Sequence, residues 1–179
     1  EADGKVLVKC HRGCSQEDVI SALKDKDAWE LAPLKDNGAV EKYNYTDELG
    51  NALYFKTRYP GKHWSIGYYS EGVKFGGLTE SGIRRVLYNL VGIEQARKNN
   101  KAVWFVEGEK DANSLIKLGF TATTNDSGAG AGKVKPEQLA SLKDMTVVLC
   151  GDNDEVGRAH MEALGKALVA YAARIFYID

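Results

Sequence analysis

The sequence predicts an α/β fold. A small parallel sheet flanked by helices is preceded by a small α+β portion with an antiparallel meander. Three observations carry this prediction. From residue 102 short apolar runs alternate with amphipathic segments, the β-α-β-α order that implies a parallel sheet with right-handed crossovers. Residues 41–69 instead alternate apolar and polar side chains at period two, with turn residues between the runs. Composition is that of a globular chain: of 179 residues, 44% are hydrophobic and 27% charged, which excludes a largely disordered protein.

The elements follow in order. Residues 5–9, Lys-Val-Leu-Val-Lys, read as a short strand running into Cys10-His11-Arg12-Gly13-Cys14. Ser15 is an N-cap with Asp18 three residues on, and Val19, Ile20 and Leu23 give the next helix an apolar face. The charged stretch 24–38, with Pro33, reads as a linker. In the meander, Asp47-Glu48-Leu49-Gly50-Asn51 and Pro60-Gly61 are turns. Leu53, Phe55, Thr57 and Tyr59 point to one face of a strand; Tyr54, Lys56 and Arg58 point to the other, a polar and solvated one. Thr79 is expected to cap a helix with Ile83, Val86, Leu87 and Leu90 on one side. Then come a strand at 103–106, a helix near 109–118, a strand near 120–124, a Gly-rich loop at 127–132 and a helix near 135–143. A strand at 145–150, a helix at 155–172 and a last strand at 173–178 complete the chain. Val156, His160, Ala163, Leu164, Ala167, Leu168 and Tyr171 fall on one face of that last helix.

Two acidic segments leave the ends of predicted parallel strands. One is Val106-Glu107-Gly108-Glu109-Lys110-Asp111, the other Cys150-Gly151-Asp152-Asn153-Asp154. In a parallel sheet such segments meet at one edge, where ligands bind. Glu107, Asp111, Asp152 and Asp154 are therefore expected to converge. Crowded carboxylates repel unless a divalent cation lies among them, and their hard oxygens suit magnesium or manganese. Each segment alone also reads as a solvated turn or a helix N-terminus.

Together, the Glu107 segment and Asp152-Asn153-Asp154 resemble the toprim domain, shared by primases, topoisomerases and some nucleases, whose motifs are a Glu ending the first strand and a DxD ending the third. The resemblance implies the toprim fold, acid/base work for Glu107, metal binding by Asp152 and Asp154, and Asp111 as a supporting carboxylate. Lys9-Cys10-His11-Arg12-Gly13-Cys14-Ser15-Gln16-Glu17-Asp18-Val19 is similar to the tail of the zinc ribbon in phage- and plasmid-type primases, often part of primase–helicase proteins. Tyr43-Asn44-Tyr45-Thr46-Asp47-Glu48-Leu49-Gly50-Asn51 and Gly82-Ile83-Arg84-Arg85-Val86-Leu87-Tyr88 are similar to the segment these proteins carry before the toprim domain. The implied division is a zinc-ribbon remnant and linker helix at 1–38, an α+β subdomain at 39–100 and a toprim domain at 101–179. The implied function is the catalytic core of a DNA primase, a magnesium-dependent nucleotidyltransferase making RNA primers from nucleoside triphosphates on single-stranded DNA. A replicative helicase is a further implied partner. The alternatives are a toprim nuclease and a non-catalytic module that binds DNA or a helicase.

Other features bound this reading. A structural zinc site normally takes four ligands, and Cys10 and Cys14 offer a half-site, so tightly held zinc is not expected. The loop Ser127-Gly128-Ala129-Gly130-Ala131-Gly132-Lys133-Val134 is not a P-loop: Ser127 stands where Gly is needed, and Val134 where Ser or Thr is needed. It is expected to approach the metal site, or to be a plain turn. Candidate nucleotide- or DNA-binding cations are Arg84 and Arg85 foremost, then Lys56, Arg58, Lys110 and Lys133, with Tyr54, Trp64, Tyr68 and Tyr69 interleaved as stacking surfaces. Net charge is −1, which excludes coating nucleic acid by bulk charge. Three cysteines give no disulfide framework, and no run is long enough to span a bilayer, so a cytoplasmic protein without a membrane partner is expected. The start at Glu1 suggests a fragment or processed product. No ATPase motif is present, so a helicase half is not expected within this sequence.

Overall fold

The computed structural model describes residues 14–24, 38–69, 73–76, 78, 81–128 and 133–178. The chain divides into two compact units, 1–38 and 39–179. In the first, helix α1 (Gln16–Lys24) begins as its capping residues dictate: the Asp18 N–H donates to Ser15 Oγ at 3.1 Å, and Ser15 Oγ donates back to Asp18 at 2.6 Å. The expected strand at 5–9, residues Cys10 to Gly13 and most of the linker lie outside the described residues.

The second unit opens with the antiparallel meander β1 (Glu41–Thr46), β2 (Ala52–Arg58), β3 (Trp64–Tyr69) and β4 (Val73–Phe75), paired in that order. Asp47 makes the first turn, its Oδ1 accepting from the N–H groups of Leu49 and Asn51 at 2.9 and 2.8 Å. The period-two alternation holds, but the face carrying Tyr54 and Lys56 is not solvated. Tyr45 and Tyr54 are fully buried and stacked at 4.6 Å, and Lys56 is 8% exposed. This face turns into the core, because Tyr43 and Tyr45 of β1 and Tyr54 of β2 carry more apolar area than the lysine stem displaces. The opposite face is covered too. Phe55 packs against Tyr69 and Phe75, and Gly67 makes room for its ring, which a Cβ there would meet at 2.4 Å.

Among the described residues no helix spans 81–89; α2 (Leu90–Lys98) starts only after Asn89, a left-handed residue with φ 57°. Thr79 itself lies outside the described residues. Val86 and Leu87 are buried as expected, but their backbone is satisfied from elsewhere. The Tyr54 hydroxyl lies 3.0 Å from the Val86 carbonyl and accepts from the Val86 N–H at 3.2 Å. Gln138 donates to the same carbonyl, and the Tyr88 N–H donates to the Thr124 carbonyl. External partners for these groups remove the need for intrahelical bonds.

The parallel sheet contains β5 (Val103–Phe105), β6 (Thr121–Thr123), β7 (Thr146–Cys150) and β8 (Arg174–Ile178), in the spatial order β6-β5-β7-β8. Helices α3 (Glu109–Lys117), α4 (Pro136–Leu139) and α5 (Glu155–Leu168) connect them. α5 is rotated from its expected face. Gly157, His160, Met161, Leu164, Gly165 and Leu168 are buried, while Val156 is exposed and Ala167 points outward. Small Gly157 and Gly165 sit against the sheet, and hydrophobicity alone does not reveal them as contact positions. One continuous core joins Tyr43, Tyr45 and Tyr54 of the meander to Leu87, Leu90 and Ile93, and onward to Phe105, Val147, Leu149, Leu164 and Leu168. A smaller cluster of Val106, Ala112 and Ala122 lies under α3. Among the described residues, no helix is long and apolar enough to cross a membrane.

Candidate functional site

β5 and β7 are neighbours with Phe105 opposite Leu149, so the chain leaves both strands at the same edge. Glu107 emerges from β5, and the Asp152 loop from β7. The two meet directly: the Asp152 backbone N–H donates to Glu107 Oε1 at 2.8 Å. Gly157 permits this approach, since a Cβ on it would lie 2.3 Å from Glu107 Oε1 and 2.5 Å from the Asp152 carbonyl. Two strands far apart in the chain thus deliver their acidic residues to one place, with a glycine of α5 as the floor beneath them.

Asp111, in the first turn of α3, joins from the other side. Val106, Glu107, Asp111, Ser114, Cys150, Gly151 and Asp152 line a cavity of about 280 Å³. Partial burial, then the charge of Asp152, push the Asp111 carboxyl above its usual pKa, and the favourable field of Lys110 does not offset them. The Cys150 thiol is raised by burial and by Asp111 and Asp152 together. A rim of this kind holds negative charge under electrostatic pressure.

Asp154 is placed differently. It is the N-cap of α5, its Oδ1 accepting from the Gly157 N–H at 2.7 Å. Asp152 and Asp154 are both exposed. Among the described residues, no three His, Cys, Asp or Glu side chains form a ready metal-binding group. The donor set still suits a hard cation, because magnesium commonly takes one or two protein carboxylates and fills its remaining positions with water and substrate phosphates.

Among the described residues, none of the expected cations lines this cavity. Arg84 forms a two-pronged, exposed pair with Glu48, at 2.8 and 2.6 Å. Arg85 Nε bonds Asp126 at 2.7 Å and its terminal nitrogen donates to Ser127, the first residue of the Gly-rich loop. Lys56, expected on a solvated face, is instead buried, with Nζ 2.5 Å from Glu109 Oε1. Arg58 is half-buried, and Lys110 and Lys133 are exposed. Cys14 is exposed, and residues 129–132 of the Gly-rich loop lie outside the described residues.

Sequence reading did not find two buried acids. Glu109 accepts from the Tyr45 hydroxyl at 2.7 Å beside Lys56, and Asp126 receives Arg85, Tyr54 and Gln138. Glu109 reads from the sequence as a helix N-terminal residue, and Asp126 falls between the strand near 120–124 and the Gly-rich loop. The signal available was Tyr45 and Tyr54 at inward positions of adjacent strands, since buried tyrosine hydroxyls need partners.

No protein-family model and no curated protein matches the sequence. The structure is similar to the primase fragment of the bacteriophage T7 primase-helicase protein, with a TM-score of 0.53 and 21% identity over 77% of this chain and 52% of that one. It is also similar to the DnaG catalytic core, with a TM-score of 0.51 and 21% identity over 76% of this chain and 44% of that one. The chain spans about half the length of the structures it matches. With its antiparallel four-stranded meander followed by a four-stranded parallel sheet and helices, this chain shares the toprim fold of those structures.

Proposed function

We propose that this chain is the nucleotidyl-transfer core of a DNA primase, which joins ribonucleotides on a single-stranded DNA template. The observation that carries the reading is the junction of Glu107 with the Asp152 loop, bordered by Asp111, in a primase fold. Glu107, Asp111 and Asp152 would hold magnesium or manganese, with Asp154 beside them at the head of α5. When bound, such an ion acts as a Lewis acid and neutralises phosphate charge.

The protein's own contributions follow from the geometry. The Asp152 N–H fixes the Glu107 carboxylate, which is set to accept the proton of an attacking 3′-hydroxyl. Gly157 keeps that carboxylate close to the loop. Asp111 and Asp152 raise the negative potential of the rim, so the site favours cationic or metal-bound ligands over free phosphate. Arg85 ties Asp126 and Ser127, at the start of the Gly-rich loop, to the segment before α2, and Arg84 and Lys133 remain accessible for phosphate. The T7 fragment comes from a primase-helicase protein, and a helicase partner is proposed here by that analogy.

The test is primer synthesis by Asp152→Asn. Synthesis on a single-stranded template with ribonucleotides and magnesium should fall about a hundredfold or more, the order seen when a group facing developing charge is lost. Circular dichroism and melting should be unchanged. Retained synthesis overturns the metal role, and shortening of the DNA in place of primer growth assigns the site to a nuclease.

A further inference from the structure

We infer that Asp126 is a positioning residue for nucleotidyl transfer, and that Arg85 acts through it as a clamp instead of binding phosphate. The reaction is that of the primase reading; the geometry stands without it. Asp126 lies three residues past β6, at the edge where Glu107 leaves β5. β6 flanks β5 on the side opposite β7, so Glu107 has the Asp152 loop on one side and the Asp126 segment on the other. The Asp126 side chain is fully buried. A buried carboxylate persists only where protein partners replace the water it has lost.

Four groups do so, from separate parts of the chain. Arg85 Nε and the Tyr54 hydroxyl lie 2.7 and 3.0 Å from Oδ2, and the Ser127 hydroxyl and Gln138 Nε2 lie 3.1 and 3.3 Å from Oδ1. One carboxylate thereby joins β2, the segment before α2, α4 and the start of the Gly-rich loop. Arg85 has its Nε on Asp126 and a terminal nitrogen on Ser127, and its side chain is only 23% exposed. Its charge is matched and one edge of its fork is occupied, so it braces the chain where an unpaired cation would hold phosphate.

The brace reaches the strand that carries Glu107. Thr124 Oγ1 donates to the Glu107 carbonyl at 3.0 Å. The Tyr88 N–H donates to the Thr124 carbonyl at 2.9 Å, and Asn89 Nδ2 to the Ala122 carbonyl at 3.1 Å, so residues 85–89 cover the free edge of β6. Without Asp126 the entry to the Gly-rich loop is no longer fixed against Glu107. The carboxylates of the rim stay intact, so nucleotide binding weakens while the chemical step keeps its rate.

Primer synthesis is measured against nucleotide concentration in wild type, Ser127→Ala, Arg85→Lys, Asp126→Asn and the Arg85→Lys/Asp126→Asn pair. Hydrogen exchange of the Val86 and Tyr88 amides, which donate to Tyr54 and Thr124, is followed without nucleotide beside that of β7. Asp126→Asn should raise KM about fivefold, the worth of one net hydrogen bond, with kcat little changed. It should also speed Val86 and Tyr88 exchange relative to β7. The pair should be no worse than Asp126→Asn alone, since Arg85 acts through Asp126. A fall in kcat at constant KM, or unchanged exchange, overturns the positioning role. Effects of Arg85→Lys that add in full to those of Asp126→Asn return Arg85 to phosphate binding. If Asp126→Asn does not fold, Ser127→Ala decides, because it strands no charge: KM should rise at constant kcat, and an unchanged KM overturns the inference. Wild type that makes no primer sinks the primase reading, and with it the role in transfer, while the exchange comparison still decides the clamp.

Discussion

The buried pair between Lys56 and Glu109 permits a quantitative test of what joins the meander to the parallel-sheet half. Their side chains are 10% and 5% exposed and 2.5 Å apart. Removing one partner of such a pair strands the other charge in the interior, which costs about 3–5 kcal/mol. Each orphan here retains one consolation. In Lys56→Met, Glu109 still accepts from Tyr45 at 2.7 Å; in Glu109→Gln, Lys56 still faces the Trp64 ring at 4.8 Å. Each single change is therefore expected near the lower end, about 3 kcal/mol, or a fall in melting temperature of roughly 6–12 °C for a domain of this size. The double mutant leaves no charge stranded. It should be no less stable than either single, giving a coupling of about 3 kcal/mol or more in a double-mutant cycle. Urea denaturation of the four proteins, with the slope checked for constancy, measures this. Singles costing under about 1 kcal/mol, or strictly additive effects, would refute a charge pair isolated from water.

Two further changes probe the acidic rim. Gly157→Ala places a methyl 2.3 Å from the Glu107 carboxylate, so it should cost about 1–3 kcal/mol and reduce synthesis by displacing Glu107; a variant with unchanged stability and rate would show the contact to be slack. Asp111→Asn should raise the melting temperature measured in chelator. The folded-state pKa of Asp111 is above its ordinary value of 3.8, so wild type is favoured while the group is protonated and loses that contribution as pH rises through 3.8 towards the raised value. The gap between mutant and wild type should open over that rise and stay constant at neutral pH, and a gap independent of pH would contradict the assigned cause.

Much of this protein was legible without coordinates. Alternation at 41–69 and the apolar runs at 103–106 and 145–150 specified both sheets, because side-chain period is a local property of the backbone. Once β5 and β7 are parallel neighbours, Glu107 and Asp152 have to leave at the same edge, so their meeting was implicit in the strand pattern. The helix expected after Thr79 was not formed at 81–89, because Tyr54 and Gln138, 32 and 52 residues from Val86, satisfy the backbone there. Which meander face turned inward, and hence the burial of Lys56, depended on what packs against it. The same holds for Glu109 and Asp126, whose partners lie across the fold. Periodicity determines elements and their edges; long-range pairing of buried polar groups decides where a charge ends up, since its energy depends on which partners share its dry surroundings.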